Sequence, residues 1–407
     1  MADREKNILY LSYDGLTDPL GQSQILPYVL GLAQRGYSFT VISFEKTQLF
    51  KNGKLLIQSK CDHNNIKWIP LQYHKTPPIV STLYDLGVLW FTVKALFKRN
   101  HFPIIHCRSY LTSLIGLRAK GKWGVKFIFD MRGFWADERV EGNIWNIGNP
   151  MYRLIYRYFK NQEQTLLRRA DHIVTLTKAG RSIVEKWCDQ TNVTVIPCCV
   201  DLALFDPALI NEQLKLNLRK SLRLDNAFVL SYIGSIGTWY LLDEMLDFFM
   251  ELRNVYPTSK FLIVTREDKT QIQRSLYKKG ISINDVIITA AEHSEVPSLI
   301  AISDFSILFI KPSFSKSGSS PTKLAEIMAM NVPIVTNAGV GDNDLLFPED
   351  SFVLLTNNFS RAEYQNIINK MKHVDVEGNR IRLKATEEFS LERGISLYEG
   401  IYKTLEV

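Results

Sequence analysis

The sequence predicts an α/β fold with two doubly wound parallel sheets. Short runs of β-branched and aromatic residues alternate with longer helical patterns along all 407 residues, as strands joined by crossover helices require. Most of these runs are almost continuously apolar, which is typical of strands covered by helices on both faces. The length exceeds what one hydrophobic core normally serves, so two domains are expected.

The elements divide between the two halves of the chain. Strands are predicted at residues 8–13, 39–44, 66–71, 104–107, 126–131, 172–177 and 193–197, and then at 228–233, 261–265, 286–289, 305–310, 333–336 and 352–355. A polar stretch at 206–226 separates the two series. We therefore predict two Rossmann-like domains facing each other across a cleft: an N-terminal domain over 1–200 and a C-terminal domain over 201–385. The apolar periodicity of 386–407 predicts a helix that packs back on the first domain.

The charge is distributed unevenly between these domains. Residues 1–200 hold 27 Lys and Arg against 15 Asp and Glu, a net charge of +12, whereas residues 201–407 have a net charge of −5. This asymmetry indicates that the N-terminal half meets an anionic partner, such as a phosphate-bearing acceptor or an anionic membrane. No nucleic-acid-binding motif accompanies the charge, so nucleic acid is not expected as a partner.

Cysteine usage and hydropathy predict a cytoplasmic protein, at most peripheral at the inner face of the cell membrane. The five cysteines show no C-x-x-C spacing, and the N-terminus carries no export signal. The most membrane-like stretch, residues 79–97, includes Asp85 and Lys94, and charges inside a bilayer are costly. We expect this stretch not to cross a membrane.

The segment with the most chemical information is residues 315–330, a Gly/Ser-rich loop that runs into a helix. Ser320 is the predicted N-cap and Pro321 the first helical residue. The unpaired amides and positive dipole end of such a helix suit a diphosphate, and Lys323 adds a full charge. Glu326 lies on the same helical face, where a carboxylate can accept hydrogen bonds from two vicinal hydroxyls. The alternative is that Lys323 and Glu326 form a solvated surface pair.

This segment resembles the donor-site motif of retaining glycosyltransferases of family four, which have the GT-B fold. The similarity rests on residues 321–326 followed by 333–335, and it extends to residues 18–24, 195–201 and 232–235, in the order that the family shows. The resemblance implies that Glu326 binds the donor ribose and that Lys323 neutralises the diphosphate during catalysis. It also implies a donor site that includes Gly21, Gln22, Ser235, Gly237, Ser320, Pro321 and Thr322. An ordinary β-to-α turn is the alternative explanation for Gly21.

Two departures from the family pattern affect the donor site. Gly318 stands where many members carry a further glutamate, so one sugar contact is expected to be missing. The Arg and Lys that usually follow the glycine of the first donor-domain strand are absent from residues 234–241. Arg266, just after a predicted strand, is the best replacement as a phosphate-binding cation. A surface arginine without a ligand is the alternative.

A third departure lies in residues 129–139, where family members often place a histidine. Here acidic, guanidinium and aromatic side chains directly follow a predicted strand, a place where loops commonly carry function. We predict that Asp130 and Arg132 are catalytic, with Asp130 or Asp137 receiving the acceptor proton and Arg132 stabilising the departing diphosphate. Arg132, Trp135, Asp137 and Glu138 form the predicted acceptor site. Structural ion pairing is the alternative for each charged member.

A helical pattern over residues 83–99, together with Lys120, Lys122, Trp123 and Lys126, combines aromatic residues with cations. This combination suits a membrane interface. A packed crossover helix with a solvated basic end is the alternative, and it explains the pattern somewhat better.

The predicted activity is transfer of a sugar from a nucleotide diphosphate sugar to a hydroxyl of a glycan or lipid-linked acceptor in cell-surface polysaccharide or glycoconjugate biosynthesis. Retention of anomeric configuration follows from the resemblance. No Asp-x-Asp motif or His/carboxylate cluster is present, so we predict no metal and no cofactor. The alternatives are a nucleotide-sugar epimerase or phosphorylase on the same fold and a non-catalytic sugar-nucleotide binding protein.

Overall fold

The computed structural model describes residues 6–189, 191–348 and 352–406. The chain forms two compact units. The N-terminal unit consists of the residues up to Pro197 together with those from Leu391 onward, and the C-terminal unit is Cys198–Ser390. The sequence predicted these two changes of domain after residues 200 and 385.

The N-terminal unit alternates strands and helices from its first element. In chain order these are β1 (Asn7–Ser12), α1 (Pro19–Gln24), α2 (Leu26–Gln34), β2 (Ser38–Glu45), α3 (Thr47–His63), β3 (Lys67–Gln72), α4 (Val80–Phe97), β4 (Ile104–Arg108), α5 (Ser109–Trp123), β5 (Lys126–Asp130), α6 (Trp135–Glu141), α7 (Pro150–Arg169), β6 (His172–Thr175), α8 (Lys178–Cys188) and β7 (Val193–Val195).

The C-terminal unit continues the same alternation. Its elements are α9 (Glu212–Ser221), β8 (Val229–Ile233), α10 (Leu242–Val255), β9 (Lys260–Val264), α11 (Lys269–Lys279), β10 (Val286–Thr289), α12 (Val296–Ala301), β11 (Phe305–Leu308), α13 (Thr322–Ala329), β12 (Ile334–Asn337), α14 (Asn343–Leu346), β13 (Val353–Thr356), α15 (Arg361–Met371) and α16 (Arg380–Phe389). A final helix, α17 (Leu391–Leu405), belongs to the N-terminal unit.

Both sheets are parallel, and both are doubly wound. The N-terminal sheet has the order β3-β2-β1-β4-β5-β6-β7 and the C-terminal sheet the order β10-β9-β8-β11-β12-β13. In each sheet the chain first moves outward in one direction and then returns to build the other side. Because parallel crossovers are right-handed, the helices of the two directions cover opposite faces. The predicted α/β class with two Rossmann-like sheets is confirmed.

Each of the predicted strands corresponds to an observed one, but two boundaries differ for identifiable reasons. The predicted strand 305–310 ends early, at Leu308, because Ile310 forms an antiparallel bridge with Tyr240 instead of continuing the sheet. The predicted helix 386–407 is divided at Ser390. There Val200 donates its N–H to the carbonyl of Phe389 and forms a parallel bridge with Ser390, which interrupts the helical hydrogen bonding.

Candidate functional site

The strand order of the C-terminal sheet reverses between β8 and β11. A crevice forms at the carboxyl ends of the strands at such a reversal. Two segments reach this point: residues 234–241, directly after β8, and residues 309–321, which lead from β11 to α13. Tyr240 and Ile310 hold the two segments together through their backbone bridge. Most of the predicted donor residues lie in these segments or in α13.

The loop after β8 is shaped by Gly234 and by the side chain of Lys323. Gly234 has a φ of +147°, a conformation that favours glycine. A Cβ at this position would lie 2.1 Å from the Nζ of Lys323, so the lysine side chain passes directly over the glycine backbone. The backbone conformation therefore favours a glycine here, and a Cβ would displace the end of the Lys323 side chain. Nearby, the hydroxyl of Tyr232 donates to the carbonyl of Ser235 at 2.5 Å.

Two lysines in this region rest on aromatic rings of the same loop. The Nζ of Lys323 lies 3.8 Å from the ring centroid of Tyr240, and the Nζ of Lys316 lies 3.8 Å from the ring centroid of Trp239. Lys316 is almost completely buried. Ammonium groups are attracted to aromatic faces, most strongly to tryptophan. Two positive charges are thus held at the β8–β11 reversal, and the sequence pointed to only one of them.

The start of α13 differs by one residue from the prediction. Pro321 is the N-cap residue, and the helix begins at Thr322. The predicted N-cap, Ser320, instead accepts a hydrogen bond from the N–H of Cys198 at 3.1 Å. Its hydroxyl therefore anchors the segment that enters the C-terminal unit. The first amides of α13 still form the positive end of a helix next to Lys323.

Glu326 is largely buried on α13, and its carboxylate lies 3.3 Å from the Nε2 of His293. His293 is itself half-exposed and packs against Phe205. The carboxylate of Glu326 accepts from His293 and keeps further acceptor capacity. Binding of two vicinal hydroxyls would require that capacity. The pairing of His293 with Glu326 was not predicted from the sequence.

Arg266 lies just after a strand, as predicted, and its role as a phosphate-binding cation stays a prediction. It follows β9, the strand next to the reversal, and pairs with Glu292 at 2.6 Å. Its Nε also donates to the carbonyl of Ala291 at 3.1 Å. The guanidinium thus ties two exposed segments together. Lys316 is the second cation at the reversal, because the aromatic ring of Trp239 positions it there.

In the N-terminal sheet the strand order reverses between β1 and β4. The loop after β1 leads into α1, which contains Gly21 and Gln22. Buried Glu45 fixes this loop by accepting hydrogen bonds from the N–H groups of Leu16, at 2.7 Å, and Thr17, at 3.1 Å. The Nε2 of Gln22 donates to the carbonyl of Thr17 at 3.1 Å.

Gly21 lies in α1, where a Cβ would lie 1.9 Å from the carbonyl oxygen of Gly15. The packing of this loop therefore requires a glycine, whether or not a ligand approaches it.

Asp130, at the carboxyl end of β5, lies at the centre of a buried polar cluster. Its carboxylate accepts a hydrogen bond from the hydroxyl of Tyr398 on α17 at 3.1 Å. It also lies 3.7 Å from Arg132 Nη1, 3.9 Å from Arg108 Nη1 and 3.6 Å from His106 Nε2. Asp130 itself is fully buried. The cluster joins the ends of β4 and β5 to the returning helix α17.

These surroundings do not fit the predicted role of Asp130 as a proton acceptor. Burial raises the pKa of Asp130, but Arg132, His106 and Arg108 outweigh burial and lower the pKa to about 2. Burial lowers the pKa of His106, although the neighbouring Asp130 carboxylate acts in the opposite direction. A carboxylate with so low a pKa is a weak base, and this one is closed to solvent. Asp130 instead lies within ion-pair distance of the guanidinium groups of Arg108 and Arg132.

Asp137 was the other candidate base, and it too has structural partners. It accepts hydrogen bonds from the hydroxyl of Tyr156 at 2.8 Å and from the Nζ of Lys160 at 2.8 Å. These contacts join α6 to α7. Trp135, at the start of α6, packs 4.8 Å from the ring of Phe159 on α7. Glu138 is partly exposed on the same helix. Of the predicted acceptor residues, Trp135 and Asp137 therefore have evident structural roles.

Arg108 and His106 were not predicted from the sequence, although both lie on β4 next to the reversal of the N-terminal sheet. Arg108 ends β4, and its Nε lies 3.6 Å from the carboxylate of Asp14 in the loop after β1. A search for charged residues at strand ends on either side of the strand-order reversal would have found it. Tyr398 could not have been found in this way, since its position depends on the return of α17. Among the described residues, no group of three His, Cys, Asp or Glu side chains is arranged to hold a metal ion.

Residues 25–204 match the sequence model of Glycosyltransferase Family 4. A UDP-Gal:alpha-D-GlcNAc-diphosphoundecaprenol alpha-1,3-galactosyltransferase of Escherichia coli is 21% identical over 333 residues, which cover 79% of this chain and 80% of that protein. A D-inositol 3-phosphate glycosyltransferase of Salinispora tropica is 24% identical over 287 residues, covering 67% of this chain and 57% of that protein. These matches support a glycosyltransferase.

Solved structures show the same fold along nearly the whole chain. HepE of Anabaena, solved with UDP and glucose, superposes with a TM-score of 0.73 at 13% identity, covering 98% of this chain and 100% of that chain. Sucrose-phosphate synthase of Thermosynechococcus elongatus superposes with a TM-score of 0.73 at 15% identity, covering 98% of this chain and 99% of that chain. The predicted GT-B fold is confirmed.

Proposed function

We propose that this protein transfers a sugar from a nucleoside diphosphate sugar to a hydroxyl of a glycan or lipid-linked acceptor, with retention of anomeric configuration and without a metal ion. The observation that carries this proposal is the arrangement at the β8–β11 reversal. Two lysines held on aromatic rings lie beside the positive end of α13, and Glu326 follows one turn later. Cations and a helix start suit a diphosphate, and the carboxylate suits a ribose.

Lys316 and Lys323 take the place of the metal ion or arginine that would otherwise neutralise the leaving group. As the bond between the anomeric carbon and the diphosphate oxygen breaks, negative charge accumulates on the diphosphate. Preorganised ammonium groups and helix amides stabilise that charge without reorganisation. Trp239 and Tyr240 keep both ammonium groups in position before the donor arrives.

The acceptor hydroxyl forms the new glycosidic bond, and its proton passes to the departing diphosphate oxygen. Neither Asp130 nor Asp137 is suited to take this proton, because the first is buried with a pKa of about 2 and the second is paired with Lys160. Transfer between the incoming hydroxyl and the outgoing oxygen places both on the same face of the sugar, which retains the configuration. The resemblance of residues 321–326 to retaining enzymes supports the same outcome.

We further propose that the acceptor is lipid-linked, that the product enters cell-surface polysaccharide or glycoconjugate synthesis, and that the protein works in the cytoplasm at the inner face of the membrane. Two observations support this proposal. The similar Escherichia coli protein is named for a diphosphoundecaprenol-linked acceptor. The N-terminal half of this chain has a net charge of +12, as expected for a domain that meets phosphate-bearing lipids.

The test is an assay of sugar transfer from UDP-glucose and UDP-galactose to GlcNAc-diphosphoundecaprenol. We expect UDP release that requires the acceptor, survives EDTA, and yields a product whose anomeric configuration, read by NMR, equals that of the donor. Glu326→Ala should weaken donor binding about tenfold, because a buried charged partner of the ribose is lost.

Other outcomes would contradict separate parts of the proposal. Isomerisation of the donor without acceptor would indicate an epimerase, and binding of donor without turnover for any acceptor would indicate a sugar-nucleotide binding protein. Loss of activity in EDTA that magnesium restores would contradict metal independence alone.

A further inference from the structure

Three neighbouring helices of one layer in the N-terminal unit, α4, α5 and α7, carry no solvent-exposed carboxylate. Helices α4, α5 and α7 pack side by side. Residues 73–128 and 142–169, which contain these helices, include only two acidic residues, Asp85 and Glu163, and both are completely buried. Asp85 is paired with His74 and Glu163 with Lys160.

The same ranges carry many exposed cations. The exposed lysines and arginines are Lys75, Lys98, Arg99, Arg118, Lys122, Lys126, Arg153, Arg157, Arg168 and Arg169. With no exposed carboxylate among them, these charges give the layer a positive potential that attracts an extended anionic partner.

Helix α4 exposes an apolar stripe that no other part of its unit covers. Its members share one face of the helix by their spacing, and each is 61–68% exposed: Val80, Leu83, Tyr84 and Phe91. Lys94 and Lys98 continue the stripe at the end of the helix. Long cationic side chains beyond an apolar stripe can reach the headgroup region of a bilayer.

A second apolar stripe lies on the loop before α7 and on the first turns of that helix. Its members, each 46–70% exposed, are Ile144, Ile147, Met151, Leu154 and Tyr158. Arg153 and Arg157 lie beside them. Helices α4 and α7 both precede strands of the parallel sheet, so the first turns of both lie at the carboxyl edge of that sheet. Arg108 and Arg132 lie at the same edge.

Helix α4 packs on its unit in a way that suits lying on a membrane and not crossing it. Among the described helices, α4 alone is long and apolar enough to span a bilayer, and 22% of its residues are buried. Leu89 and Val93 are fully buried in the core of the N-terminal unit. Asp85 accepts a hydrogen bond from Tyr13 at 2.9 Å. Removing the helix from the sheet would break these contacts.

We propose that residues 80–98 of α4 and 144–158 of the α7 segment form a docking face for an anionic phospholipid bilayer. Apolar side chains flanked by cations bind such interfaces by burying their apolar area and by attraction to anionic lipids. This inference rests on the proposed function in one respect, namely the lipid-linked acceptor. Docking would bring such an acceptor close to Arg108 and Arg132, because the first turns of α4 and α7 lie at the same sheet edge as these residues.

Gly87 offers a test that does not disturb the fold. It lies on the α4 stripe between Tyr84 and Phe91, and a Cβ there meets no atom within 4 Å. Gly87→Glu adds a negative charge to the centre of the docking face and also improves helix propensity. Gly87→Lys is the matched variant of opposite charge. Leu55→Glu places the same new charge on α3, whose crossover direction puts it on the other face of the sheet.

The measurement is co-sedimentation of the full chain with vesicles of phosphatidylglycerol and phosphatidylcholine in equal parts, compared with phosphatidylcholine alone. We expect binding to the anionic vesicles that weakens in high salt. Gly87→Glu should bind roughly fivefold more weakly, whereas Gly87→Lys and Leu55→Glu should bind at least as well as the wild type. UDP-glucose binding by Gly87→Glu in solution should match the wild type.

The inference would be overturned if the wild-type protein did not bind anionic vesicles, or if Gly87→Glu bound them as strongly as the wild type does. Retention on double-stranded DNA without vesicle binding would also overturn it, since the layer would then serve nucleic acid. Vesicle binding by a protein that transfers no sugar would instead contradict the proposed function and leave the docking face in place.

Discussion

At the scale of single residues, the two lysines at the β8–β11 reversal show how a charge can be kept ready for a ligand. A buried ammonium group loses hydration, and the aromatic face under it compensates for part of that loss. Lys316 and Lys323 each have such a ring, from Trp239 and Tyr240. In the family that this sequence resembles, a cation pair usually follows the glycine of the first donor-domain strand. Here Trp239 and Tyr240 follow that glycine, and they hold the ammonium groups of Lys316 and Lys323.

Lys316→Gln should lower the affinity for UDP about tenfold, because a charge-assisted contact with the diphosphate is lost. The affinity for uridine, which has no phosphate, should not change. Lys311→Gln removes an equal charge from an exposed position on the same segment and should leave both affinities unchanged. Calorimetric titration of the wild type and both variants measures their affinities for UDP and for uridine. Equal UDP affinity in the wild type and Lys316→Gln would remove Lys316 from the site.

Asp130→Asn should destabilise the protein by roughly 3 kcal/mol, because the guanidinium groups of Arg108 and Arg132 lose the charge of a buried neighbouring carboxylate. The pKa of the wild-type carboxyl is lowered to about 2, so it contributes stability above its ordinary pKa and loses it only as the pH falls toward 2. The wild-type kcat/KM should therefore show no titration by this group between about pH 5 and pH 8. A titration in that range that Asp130→Asn abolished would restore Asp130 as the base.

The sequence pointed to Lys323 and Glu326 because both lie on one short helix whose pattern is local, and their binding roles stay predictions. It did not identify the partners of Lys316 or Asp130, because Trp239 and Tyr398 come from distant parts of the chain. Charged residues can be recognised by type and spacing. Their surroundings depend on tertiary packing, which decided that Asp137 is an anchor and that Arg266 pairs with Glu292.

At the scale of elements, periodicity and apolar runs predicted every observed strand, since buried parallel strands have a strong local pattern. The errors occurred where a backbone partner from elsewhere redirected an element. Val200 divides the predicted final helix at Ser390, and Tyr240 ends β11 early. Such bridges have no local signal, because they depend on which segments the fold brings together.

Gly21→Ala should destabilise the loop after β1 by roughly 1–3 kcal/mol, because the new methyl group would overlap the carbonyl of Gly15. Gly87→Ala is a matched control in open space on α4, and it should stabilise by up to about 1 kcal/mol through helix propensity. Urea unfolding measures both. Wild-type stability for Gly21→Ala would show that the loop can shift, and would favour a ligand as the reason for glycine.

At the scale of the whole molecule, buried histidines make the N-terminal unit sensitive to acid. Burial lowers the pKa of His172 to about 4 and also lowers that of His106. Above the ordinary histidine pKa both states are neutral. As the pH falls below that value, these histidines are protonated in the unfolded chain but stay neutral in the folded unit, so the free energy of unfolding decreases.

Between pH 7 and about pH 4 this effect of His172 should cost up to roughly 3 kcal/mol. Urea unfolding of the wild type and of His172→Gln across this range measures it. The variant should lose less stability on acidification than the wild type. Parallel losses in both proteins would mean that His172 is not buried in its neutral form.

The return of α17 to the N-terminal unit has a consequence for synthesis on the ribosome. Tyr398 and Tyr402 fill the region around His106 and Asp130, yet the whole of Cys198–Ser390 is translated before them. The C-terminal unit is therefore complete in sequence while the N-terminal unit still lacks α17. A nascent chain thus matures out of translation order, and a message truncated before α17 would yield one finished unit attached to one unfinished unit.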